Sequence, residues 1–405
     1  MKLDTMRRID RWLGDPLCHL LAPLSRLFAR PARPGTVVVC KFFGLGSVVL
    51  AHPLVAALKS NGHEVTFVTF AGNRDLLGGY GVGEVLTIDP SSAGSFIRDT
   101  FKCIVRLRRW RPAAFLNLEF FSRYAALISL FSGATVRAGF HMLHLPLGKL
   151  QTHRSNLNVY RPVHENFLNL GQITDLIGEP GSIADHVEAF RAAAPTTSTD
   201  RIAPPYIVIS PETSEANGEL RRWPSPAWAG LLAGLAETYP GYRLVIIGTN
   251  ADRRRIDEIL DHQTGPLPIT DLTGETSIAE LQGLIRNAAL LITLDSAPLH
   301  FGVFLKTPTV ALFGPETPAL FGHRTASVRI IYKDLFCSPC SALYDAKACV
   351  LDCRDNQCMK QISVAEVLAA ATDLLPRQGS ETPAKSIQPS GGAHPHPASP
   401  IKGEG

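Results

Sequence analysis

From Thr36 the chain falls into a rhythm of short apolar run, small-residue turn and helical stretch, and the same rhythm restarts at Tyr206. Uninterrupted apolar runs, as opposed to alternating ones, suit strands buried on both faces of a parallel sheet. In the first half the runs predict strands at Val37–Cys40, Glu64–Phe70, Val85–Ile88, Ala113–Leu118 and Thr135–Gly139. They predict helices over Val48–Leu58 and Glu165–Ile177. In the second half, strands are expected at Tyr206–Ser210, Arg243–Gly248, Leu290–Leu294 and Thr309–Phe313, with helices over Ser225–Tyr239, Asp252–His262 and Ser277–Asn287 and a short one from Pro298. Alternation of this kind gives an α/β class with helices on both faces of a parallel sheet. A chain of 405 residues exceeds one ordinary core, so two domains are expected: residues 36–189 and 206–376, joined by an Ala/Pro/Thr/Ser-rich linker over 190–205. Residues 377–405 are Pro, Gly, Ser and His rich without apolar period, which predicts a disordered tail.

Charge narrows the function. Residues 1–35 hold seven Lys/Arg and three Asp/Glu, while the remainder holds 33 of each sign. The net +4 therefore belongs to the N-terminal arm, and a nucleic-acid groove on the folded part is not expected. In the arm Met6, Ile9 and Leu13 repeat at helical spacing with Arg7, Arg8 and Arg11 on other faces, followed by a stripe from Leu17 to Phe28. Such a segment suits either an anionic membrane surface or a face of the domain. No stretch of 18 uncharged apolar residues occurs, so a spanning helix and a secretory leader are not expected, and the protein reads as cytoplasmic.

Four constellations carry chemistry. Gly44-Leu45-Gly46 stands between a strand and a helix, but Val49 occupies the place of the third dinucleotide-binding glycine and Phe70-Ala71-Gly72 that of the ribose-binding acid. Nicotinamide chemistry is thereby disfavoured, while Gly44 and Gly46 still let a ligand approach a helix start. After the second domain's first strand come Ser210-Pro211-Glu212-Thr213-Ser214 and Arg221-Arg222-Trp223-Pro224, whose guanidinium groups suit a diphosphate. Asp295-Ser296-Ala297-Pro298-Leu299-His300 and Phe313-Gly314-Pro315 end two further strands and converge on one edge. Cys337, Cys340, Cys349, Cys353 and Cys358 crowd 22 residues, yet their later spacings lack a second x2 pair, so they are weak candidates for a metal and none is assigned.

At these motifs the sequence resembles glycosyltransferase family 9, the ADP-heptose:lipopolysaccharide heptosyltransferases, over about residues 36–375. The resemblance runs from Arg221-Arg222-Trp223-Pro224 through Gly248, Leu272-Thr273-Gly274-Glu275-Thr276-Ser277 and Asp295–His300 to Phe313-Gly314-Pro315. It implies a GT-B fold, two Rossmann-like domains whose parallel sheets face each other across a cleft, acceptor on the first and nucleotide sugar on the second. It implies inverting transfer without a metal or other cofactor, from an ADP-heptose-like donor to a lipid-linked saccharide. Thr213, Arg221, Arg222, Asp252, Asp295, Ser296, His300 and Gly314 fall on the implied donor side, Gly44 and Gly46 on the acceptor-side loop, and Ser47 joins Glu119 and Arg221 among the expected catalytic residues.

One departure matters. The family's first turn commonly ends Gly-Asp, with that aspartate as general base, and here it ends Gly46-Ser47. A hydroxyl does not take a proton at neutral pH as a carboxylate does. Glu119, just past another strand at the same edge, is the replacement expected, with Arg123 four residues on as an alternative partner for it. Arg221 is expected to stabilise the leaving diphosphate. A sugar-nucleotide 2-epimerase and a non-catalytic nucleotide-sugar-binding protein are the alternatives.

Overall fold

The computed structural model describes residues 3–142, 145–195, 201–213, 218–340, 353 and 355–376. The first sheet contains β1 (Arg33–Cys40), β2 (Glu64–Phe70), β3 (Glu84–Ile88), β4 (Pro112–Asn117), β5 (Val136–His141) and β6 (His153–Asn156), in the order β3-β2-β1-β4-β5-β6. The second contains β7 (Tyr206–Ser210), β8 (Arg243–Ile246), β9 (Ile269–Asp271), β10 (Leu290–Leu294), β11 (Thr309–Phe313) and β12 (Val328–Tyr332), in the order β12-β11-β10-β7-β8-β9. Every described pairing is parallel. Each sheet reverses strand order at its centre, the position beside which open sheets of this kind generally bind ligands.

Around the first sheet lie α1 (Leu3–Leu21), α2 (Leu45–Leu50), α3 (His52–Ser60), α4 (Arg74–Leu77), α5 (Ala93–Trp110), α6 (Arg123–Phe131), α7 (Val163–Gln172) and α8 (Ile183–Ala193). Around the second lie α9 (Gly218–Arg221), α10 (Ser225–Thr238), α11 (Arg253–Leu260), α12 (Ile278–Asn287), α13 (Ala297–Leu305), α14 (Pro318–Phe321), α15 (Gln357–Lys360) and α16 (Val364–Leu374).

Three expectations are corrected. The helix expected over Val48–Leu58 is divided into α2 and α3 at Ala51, because Pro53 lies in the first turn of α3 and its ring cannot continue a preceding helix. The stretch 190–205 is not all linker: α8, started by a Ser182–Asp185 capping box, runs to Ala193 and buries Phe190. Strands β6, β9 and β12 were not anticipated from apolar runs, since they stand at or near sheet edges and are short or only half-buried. The expected tail at 377–405 lies outside the described residues.

The two halves share apolar packing. Phe190 of α8 lies 5.3 Å, ring to ring, from Phe304 and 6.4 Å from Phe301 of α13. A second core, under α10 and α16, is closed by Trp223, whose indole N–H donates to the carbonyl of Ile362 at 2.9 Å.

Candidate donor and acceptor site

Asp295 follows the buried strand β10 and is itself buried. Its carboxylate stands 3.5 Å from Arg221 Nη2, which also donates to the Asp295 carbonyl. Thr213 Oγ1 donates weakly to the same carbonyl at 3.5 Å. Burial raises the Asp295 pKa, and the Arg221 charge opposes that rise. Three residues chosen from separate stretches of sequence are thus gathered at one point. Ser296 occupies the N-cap of α13 without capping it; its hydroxyl pairs with Thr293 Oγ1 at 3.1 Å. Pro298 has no N–H and the Leu299 amide donates to the Ser296 carbonyl at 3.1 Å, so of the first three positions of α13 only Ala297 offers an amide to an anionic group.

Other residues expected on the donor side make protein contacts. Arg222 Nε donates to Glu212 Oε2 at 3.2 Å, and Arg255 Nε lies 3.4 Å from the other oxygen. Burial raises the Glu212 pKa, and the two guanidinium groups offset the cost of its charge. Arg222 is therefore a partner for the buried acid Glu212, as Arg221 is for Asp295. Asp252 Oδ2 accepts from the Thr249 amide and hydroxyl, both at 2.7 Å, so this carboxylate caps the turn leading into α11. Gly314 turns inward: a Cβ there would meet Met359 Sδ at 2.4 Å, and its carbonyl accepts from Ser338 Oγ at 2.6 Å. Its lack of a side chain is thus a packing requirement.

His300 stands at the domain junction. Its Nδ1 is 3.0 Å from His323 Nε2, and the His323 ring stacks on His164 of α7 at 6.0 Å. Burial, reinforced by neighbouring cations and imidazoles, lowers the pKa of His300 to about 3 and of His164 to about 4. Gly46 meets this ring: a Cβ there would lie 2.5 Å from His300 Cδ2. The turn after β1 and the start of α13 are therefore in contact. Gly44, with φ +81°, caps α2, and Ser47 sits half-buried in its first turn.

Glu119 lies buried just past β4. Its Oε1 accepts from Lys41 Nζ at 2.9 Å and from the amides of Phe42 and Phe43 at 2.7 and 3.0 Å. Among the described residues, Oε2 accepts no hydrogen bond. Arg123 does not pair with it; Arg123 Nε donates instead to Asp15 at 2.7 Å. Lys41, a cation just past the first buried strand, carries a signal in the sequence, whereas His164 and His323 carry no spacing signal.

Cys337, Cys340, Cys353 and Cys358 are free thiols. Burial, with the other thiols nearby, raises Cys358 to about 11 and also raises Cys340. Cys349 lies outside the described residues. Among the described residues no group of three or more His, Cys, Asp or Glu is placed to hold a metal.

Two parallel-sheet domains in series, each with polar loops at its carboxyl edge, define a GT-B glycosyltransferase fold. Residues 121–350, more than half of the chain, match the model of glycosyltransferase family 9 (heptosyltransferase), and the chain belongs to that family. It is 27% identical over 163 residues to lipooligosaccharide heptosyltransferase 2 of Campylobacter jejuni, a match covering 39% of this chain and 48% of that protein. The chain thus spans about half the length of the curated relative. Among solved structures, a family 9 glycosyltransferase from Veillonella parvula superimposes with a TM-score of 0.66 at 19% identity, over 85% of this chain and 98% of that one. E. coli ADP-heptose lps heptosyltransferase II superimposes with 0.63 at 20% identity, over 84% and 98%.

Proposed function

We propose that the chain transfers a heptose, with inversion, from an ADP-heptose-like donor to a lipid-linked saccharide of lipopolysaccharide-core type. The observation carrying this reading is the Arg221–Asp295 pair at the start of α13, in register with the Gly46 turn of the other domain. A departing nucleoside diphosphate gathers negative charge, and a permanently charged guanidinium beside the first amide of α13 stabilises it. In this reading that work falls to Arg221 and α13, with no step assigned to a metal or another cofactor.

On the opposite side Glu119 is the general base. Oε1 is held by three donors, which fixes the carboxylate, and Oε2 is the oxygen that receives the proton. The acceptor hydroxyl loses its proton to Oε2 and its oxygen bonds to the anomeric carbon. The bond to the diphosphate breaks, and the electron pair leaves with ADP. Ser47 lines the acceptor side without titrating.

The lipid-linked acceptor places the protein at the inner face of the cytoplasmic membrane, held peripherally by α1. Among the described residues no helix is long and apolar enough to cross a membrane. The test is ADP release from ADP-heptose with and without a truncated lipopolysaccharide core, beside calorimetric titration with ADP. Acceptor-dependent release is expected. Failure of ADP to bind overturns the donor assignment, and binding without transfer supports the non-catalytic alternative.

A further inference from the structure

The arm helix is seated with its usual polarity reversed. Its small and acidic residues face the protein: Gly14 lies on Arg123, where a Cβ would come within 2.4 Å, and Cys18 is fully buried. Asp10 accepts from the amides of Arg123 at 3.1 Å and Tyr124 at 2.7 Å, bonding the start of α6 from a distant part of the chain. Asp15 receives Arg123 Nε. The large apolar side chains point outward, with Trp12 81% and Leu20 66% exposed, and Leu27, in the turn after the helix, is 79% exposed. Helix α5 does the same on one flank: it buries Cys103 and Leu107 while Ile97 and Phe101 are 67% and 69% exposed.

These two apolar flanks turn toward one another. On α1 the flank bearing His19 meets Lys149 at 3.2 Å, in the turn over Pro146–Leu150. The opposite flank, with Ile9, Leu13 and Leu17, therefore points across α6 toward α5. On α5 the side facing α6 is marked by Thr100, bonded to Tyr124, and by Arg108, which donates to the Phe131 carbonyl. Helical spacing puts Ile97 and Phe101 next to that side.

We propose that α1 and α5 together form a docking face for the surface of an anionic lipid bilayer; this rests on the reading of a lipid-linked acceptor. Charge complementarity selects that occupant. Asp10 and Asp15 are turned inward onto α6, so they no longer offset the arm's cations. Arg8, Arg11 and Arg26 on the arm, and Lys102 on α5, form no ion pair among the described residues. An apolar stripe flanked by cations is the form that enters the headgroup boundary. The same Asp10 contact holds the start of α6, directly after the loop bearing Glu119, so docking also orients the acceptor side of the cleft toward lipid.

The full chain is tested with vesicles of phosphatidylcholine mixed with phosphatidylglycerol and with phosphatidylcholine alone, by co-sedimentation and by quenching of Trp emission with brominated acyl chains. Binding to the anionic vesicles is expected, with quenching lost in Trp12→Ser. The double variant Ile97→Asn/Phe101→Asn, whose sites are exposed, is expected to keep its circular dichroism and bind at least about tenfold more weakly. Unchanged binding of that variant, with loss in Trp12→Ser/Leu20→Ser, overturns the role of α5 and leaves the arm's role standing. No binding by the parent chain overturns the whole docking face, while ADP release in the transfer assay reports separately on the reaction. A concentration-dependent dimer that Ile97→Asn/Phe101→Asn dissolves assigns the face to a second copy and overturns the proposal.

Discussion

Gly46 touches the ring of His300 across the two domains, and a Cβ on Gly46 would also lie 3.3 Å from the Cα of Ala297. One contact therefore joins the turn after β1 to the first turn of the helix at the end of β10. Gly46→Ala is expected to force α2 away from α13 at a cost of about 1–3 kcal/mol, as overpacking does. Denaturant unfolding checks it; parental stability would show that this contact is open in solution.

Arg221 and Asp295 form a second test. Removing either one leaves the other charge largely buried, which costs about 3–5 kcal/mol. The double variant Arg221→Met/Asp295→Leu is expected to cost less than the two single changes combined. Calorimetry should show ADP binding weakened in every variant that lacks Arg221.

Glu119 and Lys41 separate chemistry from support. Glu119→Gln retains an oxygen for the amides of Phe42 and Phe43 and removes the base, so turnover is expected to fall by about 10²–10⁴ with the fold kept. Turnover near the parent's would remove Glu119 from the mechanism. Lys41→Met leaves the carboxylate without its buried cation. Its main effect is expected in the unfolding midpoint, with loss of activity following from that.

The buried imidazoles predict acid sensitivity. His52 packs edge-on to Tyr80 and Phe190, at 4.8 and 5.1 Å, and burial lowers its pKa from 6.5 to about 4. The unfolded chain binds that proton more readily than the folded one. The stability from His52 is therefore complete above about pH 6.5 and declines as pH falls toward about 4, by up to about 3 kcal/mol. Burial raises the carboxyls of Asp10 and Asp295, which act in the opposite direction. The informative quantity is thus the difference between His52→Phe and the parent: the variant should lose less stability between about pH 7 and pH 5. Equal losses would place the sensitivity elsewhere.

Much of the core was legible because buried parallel strands need apolar runs, and β7, β10 and β11 are wholly buried. Edge strands such as β9 carry no such run. The Asp295–Arg221 meeting could be anticipated, since both residues follow strands at one sheet edge. The partners of Glu119 and Arg123 could not: Lys41 is 78 residues from Glu119, and Asp15 is 108 from Arg123. Likewise nothing local assigns Arg221 to Asp295 and Arg222 to Glu212, since each buried acid comes from a separate stretch of the chain.

The matching order of the two sheets has a consequence for how such a molecule can change. Each half carries its own central reversal, and the loops that meet a ligand hang from strand ends while the pairing beneath them stays fixed. Recognition on one side can be rewritten without disturbing the other, provided the seam at Gly46 and His300 is kept. The fold is in that sense two sockets set on one shared apolar seam.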